Sequence, residues 1–186
     1  MRGWATGEGL EKMNNQNPSK ASAIINRLLS DRIIMLMGEI NDEVASAVIA
    51  QMLYLQQLDA RTPISLYIDS PGGAVAASFA ILDVMEHFVP KIETVCIRNA
   101  TGTGAVILAS GSKGLRSALP GAIMKLTSVW GNGTPNEIQR FTNDLAMLLA
   151  NATGQKLEVL LSDMEQEREF TPFSAQQYGL IDDVLS

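Results

Sequence analysis

Short stretches of apolar and β-branched residues recur along the chain, separated by longer runs of mixed or apolar character. Stretches of five or six such residues are typical of strands that are buried on both faces of a parallel sheet. The pattern predicts four strands, at residues 32–37, 64–68, 92–97 and 123–127. The sheet they form is expected to be largely parallel, because a longer segment follows each of the first three.

The longer runs predict helices, at residues 42–58, 72–88 and 134–150. Asn41 is a suitable N-cap for the first, Pro90 stops the second, and Pro135 occupies the first helical position of the third. Alternation of strand and helix over about 100 residues indicates an α/β fold. Residues 1–20 are polar with several glycines and predict a flexible arm, which leaves residues 21–186 as a single domain.

Composition excludes several classes of function. The chain has 186 residues and a net charge of −6, which argues against binding to nucleic acid. With one cysteine, Cys96, and one histidine, His87, a disulfide framework and the usual metal sites are excluded, and we expect no cofactor. No apolar run is long enough to span a membrane and no signal peptide is evident, so we expect a soluble, cytoplasmic protein.

Two glycine-rich segments follow predicted strands. They are IDSPGGA at residues 68–74 and NATGTGA at residues 99–105, and each leads from a strand into a helix. Backbone N–H groups at two adjacent turns of this kind can form an oxyanion hole. The alternative is that these glycines only allow a helix to pack closely on the sheet.

Six segments together resemble ClpP, the proteolytic subunit of the ATP-dependent Clp protease. They occur in the family's order: DRII (31–34), LYIDSPGG (66–73), GA (104–105), ASGSKG (109–114), TGQ (153–155) and YGLID (178–182). The resemblance implies a ClpP/crotonase-like fold of repeated β-β-α units. It also implies seven-membered rings that enclose a serine peptidase chamber, into which an AAA+ ATPase feeds unfolded polypeptide.

The catalytic triad of the family is not matched. The position of the nucleophilic serine falls on Gly102, that of the histidine on Leu126, and that of the aspartate on Glu167. Glycine carries no nucleophile and leucine carries no proton, so the resemblance implies an inactive subunit. Such subunits, called ClpR, form mixed rings with active ClpP in cyanobacteria and in the plastid stroma.

Other functional positions of the family are retained. The oxyanion-hole amides correspond to those of Gly73 and Thr103, and a tyrosine of the ATPase docking pocket corresponds to Tyr67. Because a backbone N–H does not depend on the side chain, binding of a peptide carbonyl is compatible with loss of the triad.

Two alternatives stay open. The first is an active peptidase with an unrecognised nucleophile, for example Thr101 or Thr103 with Lys125 as base. Strand alternation argues against it, because Lys125 is expected to point away from Leu126. The second is a crotonase-like protein that binds acyl thioesters at the same pair of amides.

Assembly is expected to differ from that of the family. The handle segment between residue 127 and TGQ is shorter by roughly eight residues, about two helical turns, and Glu165-Gln166 replaces an acid–arginine pair at the ring–ring contact. The helix at residues 42–58 is apolar on nearly every face, so part of it should be buried against a neighbouring subunit. We therefore expect homomeric or mixed heptameric rings whose stacking is weakened.

Overall fold

The computed structural model describes residues 20–131 and 133–186, and the predicted arm lies outside them apart from Lys20, which belongs to the first helix of the described residues. This part of the chain contains seven helices: α1 Lys20–Ser30, α2 Asp42–Leu58, α3 Val75–Glu86, α4 Thr103–Ala109, α5 Pro135–Thr153, α6 Leu157–Glu165 and α7 Pro172–Tyr178. It also contains seven strands: β1 Ile33–Met37, β2 Ile64–Ser70, β3 Ile92–Thr101, β4 Arg116–Ala118, β5 Ile123–Lys125, β6 Glu169–Phe170 and β7 Asp183–Val184.

A largely parallel sheet forms the centre of the molecule. Its strand order is β1-β2-β3-β4-β7, and all four pairings are parallel. The long strand β3 changes neighbour along its length: residues 94–96 pair with β4, and residues 99–101 pair with β5. Short strand β6 joins β5 antiparallel. The predicted α/β fold is confirmed.

Local sequence signals explain where the helices start. Helix α2 has the predicted bounds, and the side chain of Asn41 caps it by accepting from the N–H of Val44 at 2.9 Å. Helix α3 begins at Val75, three residues after the prediction, because Gly72 and Gly73 adopt φ values of +87° and +158°. Helix α5 begins with Pro135 at its first position, as predicted, behind a capping box between Thr134 and Glu137.

The hydrophobic core lies between one face of the sheet and the helices. Ile34, Leu66 and Ile68 point into it from β1 and β2, and Met52 and Leu55 meet them from α2. Ser65 and Tyr67 alternate with them on β2, point to the opposite face and are only half-buried, whereas Asp69 is buried. Within the described residues, no helix is both long and apolar enough to cross a membrane.

One buried ion pair joins segments that are distant in sequence. The guanidinium of Arg116 on β4 is almost fully buried and donates to the Asp182 carboxylate at 2.8 and 2.6 Å. It also donates to the carbonyl oxygens of Ala109, at the end of α4, and Ala152, in the last turn of α5. Hydrogen bonding to Arg116 lowers the pKa of Asp182 below that of an ordinary carboxyl group.

Candidate functional site

A cleft of about 490 Å³ lies where the two glycine-rich turns meet the segment after β5. Its lining includes Gly72, Gly73, Gly102, Thr103, Thr127 and Trp130. The turns are in direct contact, since a Cβ atom on Gly72 would lie 2.7 Å from the carbonyl oxygen of Thr101 and 3.2 Å from the nitrogen of Thr103. The structure therefore brings together the two segments that the sequence singled out.

Gly102 forms a sharp turn between strand β3 and helix α4. Its φ of +54° and ψ of −120° lie in a region that residues with a side chain enter only at a cost of about 1–3 kcal/mol. Its N–H donates to the carbonyl oxygen of Lys125 at 2.9 Å, which fixes the turn against β5. A strand-to-helix turn of this shape is the geometry that exposes a nucleophile in many hydrolases. In this chain the residue at the turn is glycine, so it carries only a hydrogen atom there.

Gly73 is fixed by its neighbours in a parallel bridge with Ile40. The Ile40 N–H donates to the Gly72 carbonyl at 2.9 Å, and the Ala74 N–H donates to the Ile40 carbonyl at 2.7 Å. A Cβ on Gly73 would lie 2.2 Å from the Ile40 oxygen, so only glycine fits at this position. In the described part of the chain, neither the Gly73 N–H nor the Thr103 N–H has a backbone acceptor.

The residue beside Gly102 is Thr127, and the placement expected for Leu126 is corrected. Leu126 is buried in the core, as Met124 is, because side chains alternate along this extended segment. Thr127 points the other way, and its Oγ1 lies 2.8 Å from where a Cβ on Gly102 would be. Thr127 was not among the residues predicted from the sequence; alternation counted from apolar Met124 would have placed its side chain on the face opposite to Leu126.

Glu167 does not reach the cleft. Its carboxylate pairs with the Lys125 ammonium at 2.5 Å, and its side chain is 62% exposed. Lys125 does point away from Leu126, as expected, and this direction brings it to Glu167. The three positions matched to the triad are therefore separated: Gly102 at the turn, Leu126 in the core and Glu167 in a surface ion pair.

Thr101 and Lys125 line a second cavity, of about 400 Å³. They are register partners in the parallel pair of β3 and β5, so their side chains are neighbours. The Thr101 hydroxyl, however, donates to the side-chain oxygen of Asn99 at 2.8 Å. Lys125 is paired with Glu167 and Thr101 with Asn99, not with each other, so this geometry does not favour a threonine–lysine dyad.

The remaining candidates lie elsewhere. Tyr67 is half-buried on β2, next to Met35 of β1 in the register. His87 is the exposed C-cap of α3. Cys96 is buried in the core, where burial raises the pKa of its thiol to about 12 and makes it unreactive. Among the described residues, no group of three or more His, Cys, Asp or Glu side chains is placed to hold a metal ion.

A comparison with protein-family models gives one match that covers most of the chain. The model of the Clp protease family matches residues 15–186. This span includes both glycine-rich turns, strand β5 with Thr127, and the C-terminal YGLID segment. The chain therefore belongs to the Clp protease family.

Proposed function

We propose that the chain is a catalytically inactive, ClpR-like subunit of an ATP-dependent Clp protease. The observation that carries the proposal is Gly102: the turn of the nucleophile is formed, with its φ of +54° and ψ of −120°, but no side chain stands on it. A hydroxyl or thiol at this turn is what acyl transfer requires, and neighbouring side chains do not replace it.

The surroundings of Gly102 support inactivity. Within 4 Å of the place of a Cβ on Gly102, and apart from the two chain neighbours of Gly102, the described residues offer only the Oγ1 of Thr127, with no imidazole or carboxylate. Lys125 and Glu167 are paired with each other. Without a base, a hydroxyl at neutral pH is a weak nucleophile.

Exposed apolar residues on α2 support a role in rings. Leu53, Tyr54 and Leu58, which we call the α2 patch, are each about half exposed or more, whereas Val48 and Met52 of the same helix are buried. A cluster of exposed apolar residues is typical of a protein–protein interface. We assign the α2 patch to the contact between neighbouring subunits of one ring.

Helix α5, the handle, supports weak stacking of rings. Its fully buried residues begin only at Thr142, and in its first two turns only Ile138 and Phe141 are partly buried, with Phe141 packed against Phe79 of α3. Residues 135–137, 139 and 140 on these turns are exposed and, apart from the proline, polar. The capping box already satisfies the backbone at its start. The exposed residues of the first two turns thus offer little apolar surface to a second ring.

We expect the purified chain to sediment as a single ring whose size does not change with salt, because burial of apolar surface is not screened by ions. The double variant Leu53→Glu/Leu58→Glu should dissociate the ring, since it places charges in the α2 patch. Phe173→Glu is the matched control, because Phe173 is 66% exposed on α7, away from the patch. Analytical ultracentrifugation across a salt series gives the result.

Mixing with an active ClpP subunit tests the partnership. The chain should co-sediment with active ClpP and change its rate of peptide hydrolysis in the presence of its ATPase, and the double variant should do neither. A wild-type monomer at micromolar concentration would contradict the ring proposal, and a salt-resistant double ring would contradict weak stacking.

A further inference from the structure

We propose that the exposed face of the sheet around Arg98 binds a groove between α3 and α5 on the next copy of the chain, and that the charge of Arg98 selects the neighbour. This contact rests on the ring role proposed above, because only a neighbouring copy can present its groove to the sheet.

The first surface is a row of residues on the face of the sheet that points away from the hydrophobic core. Met37 of β1 pairs in register with Asp69 of β2, whose carboxylate binds Arg98 of β3. Asn99, the next residue of β3, pairs in register with Ile123 of β5. Although Met37 and Ile123 are apolar, they are 47% and 46% exposed. Parallel sheets are usually covered on both faces, so this row is expected to have a partner.

Arg98 presents a cation whose direction is fixed within the subunit. Its Nε donates to both carboxylate oxygens of Asp69 at 3.1 Å, and its Nη2 lies 2.9 Å from one of them. The Asp69 side chain is only 10% exposed, whereas that of Arg98 is 79% exposed. A guanidinium has five N–H donors, so N–H groups remain for a second carboxylate. Because Arg98 is already held, it loses little freedom when a partner binds.

The second surface is the groove between α3 and α5, with a volume of about 630 Å³. Apolar side chains from both helices line it, namely Phe79, Leu82, Met85, Met147 and Leu148. Three carboxylates also line it, those of Asp83, Glu86 and Asp144. Among the described residues none of the three forms an ion pair. The groove therefore combines apolar surface with negative charge that has no counter-charge in the subunit.

The two surfaces are complementary. The row places one cation between two exposed apolar side chains. In the groove, the cations are Lys113 and the buried Arg116, which is already bound to Asp182, so the carboxylates are in excess. Helices α3 and α5 contribute residues to the core and so lie on the other side of the sheet from the row. A contact between two different surfaces on opposite sides of a subunit is head-to-tail, the type that closes into rings.

Arg98 determines which neighbour fits. A neighbour with acids in its groove pairs with the guanidinium, whereas one without them leaves it covered and unpaired, which is costly. The chain therefore accepts a second copy of itself, or a related subunit that carries acids at the same place. Because apolar side chains surround this pair on both sides, salt screens it little.

Two charge-reversed variants test the contact. The row variant combines Arg98→Glu with Asp69→Asn, whose amide can donate to the new carboxylate and keep the local hydrogen bond. The groove variant combines Asp83→Arg with Asp144→Arg. Each variant alone places like charges opposite each other, so its dissociation constant in sedimentation should rise at least about 100-fold. Lys156→Glu, a charge reversal at an exposed residue outside both surfaces, is the control and should change nothing.

An equimolar mixture of the two variants distinguishes a lost contact from a lost fold. Opposite charges meet again where the row of one variant faces the groove of the other, so mixed oligomers should form at concentrations at which each variant alone is monomeric. A chain with all four substitutions should assemble by itself. Circular dichroism of each variant should match that of the wild type.

Assembly of either charge-reversed variant with wild-type affinity would overturn the contact and assign its surface to another occupant. A mixture that stays monomeric although both variants are folded would overturn it as well. Both results leave the proposed function standing if the wild type forms rings. A wild-type monomer would overturn the ring role, and this contact with it.

Discussion

Gly102→Ser combined with Thr127→His is expected to turn the inactive chain into a weak peptidase. Serine at residue 102 supplies a hydroxyl at a turn that already has the required shape. Histidine at residue 127 replaces the threonine whose Oγ1 lies 2.8 Å from the new Cβ, so it removes a close contact and adds a base. A positioned base contributes about 10²–10⁴-fold, so turnover should exceed that of Gly102→Ser alone by at least about 10²-fold.

The matched control is Gly102→Ser with Leu126→His. Leu126 is buried in the core, so an imidazole at this position points away from the cleft and also disrupts packing. We expect no gain of turnover and a loss of stability. Hydrolysis of a fluorogenic peptide, with thermal unfolding in parallel, distinguishes the two double variants.

A third change should leave the active variant unchanged. Lys125→Met releases Glu167 from its ion pair, but the Glu167 side chain is 62% exposed and does not reach the cleft, so it does not orient the new imidazole. Turnover of the triple variant should equal that of the double variant. If Leu126→His restores activity and Thr127→His does not, the placement of these two residues is wrong.

Asp182→Asn is expected to cost about 3–5 kcal/mol of stability, because it leaves the guanidinium of Arg116 buried without a counter-charge. The side chain of Arg116 is 3% exposed, and it keeps only the two carbonyl oxygens of Ala109 and Ala152 as good acceptors. Asp183→Asn, a change of the same kind at the next, exposed residue, is the control and should cost little. Urea unfolding measures both.

The pH dependence has a definite sign. Hydrogen bonds from Arg116 lower the pKa of Asp182 in the folded state. The stability it contributes is therefore fully present above the ordinary pKa of a carboxyl group and is lost as the pH falls through the lowered value. Urea unfolding from pH 7 down to pH 3 should show a steeper acid loss for the wild type than for Asp182→Asn. Parallel curves would contradict the assignment.

Elements with a clear period or cap could be predicted from the sequence. Helix α2 has the predicted bounds, because Asn41 caps it and its apolar residues recur at helical spacing. Strands β4, β6 and β7, of three residues or fewer, were missed because so short a segment shows no alternation. Their strand structure depends on pairing with residues elsewhere in the chain.

The candidate site, like the fold, could be predicted from the sequence only in part. Both glycine-rich turns were found because glycine at a strand-to-helix junction is a local signal. The sequence did not predict the ion pair of Lys125 and Glu167 or the unpartnered hydroxyl of Thr103. Both depend on contacts between segments that are distant in sequence. Finding Thr127 requires knowing to which side of the extended segment its side chain points, and a shift of one residue reverses that side.

Labelling of the purified wild-type chain with a serine-directed fluorophosphonate tests the claim of inactivity most directly. Intact-mass spectrometry should show no adduct after an incubation that labels active ClpP completely, because no hydroxyl stands on the turn at Gly102. A stoichiometric adduct would contradict the account. Its loss in Thr101→Ala, Thr103→Ala or Thr127→Ala would identify the nucleophile, and its survival in all three would place the active site outside the cleft.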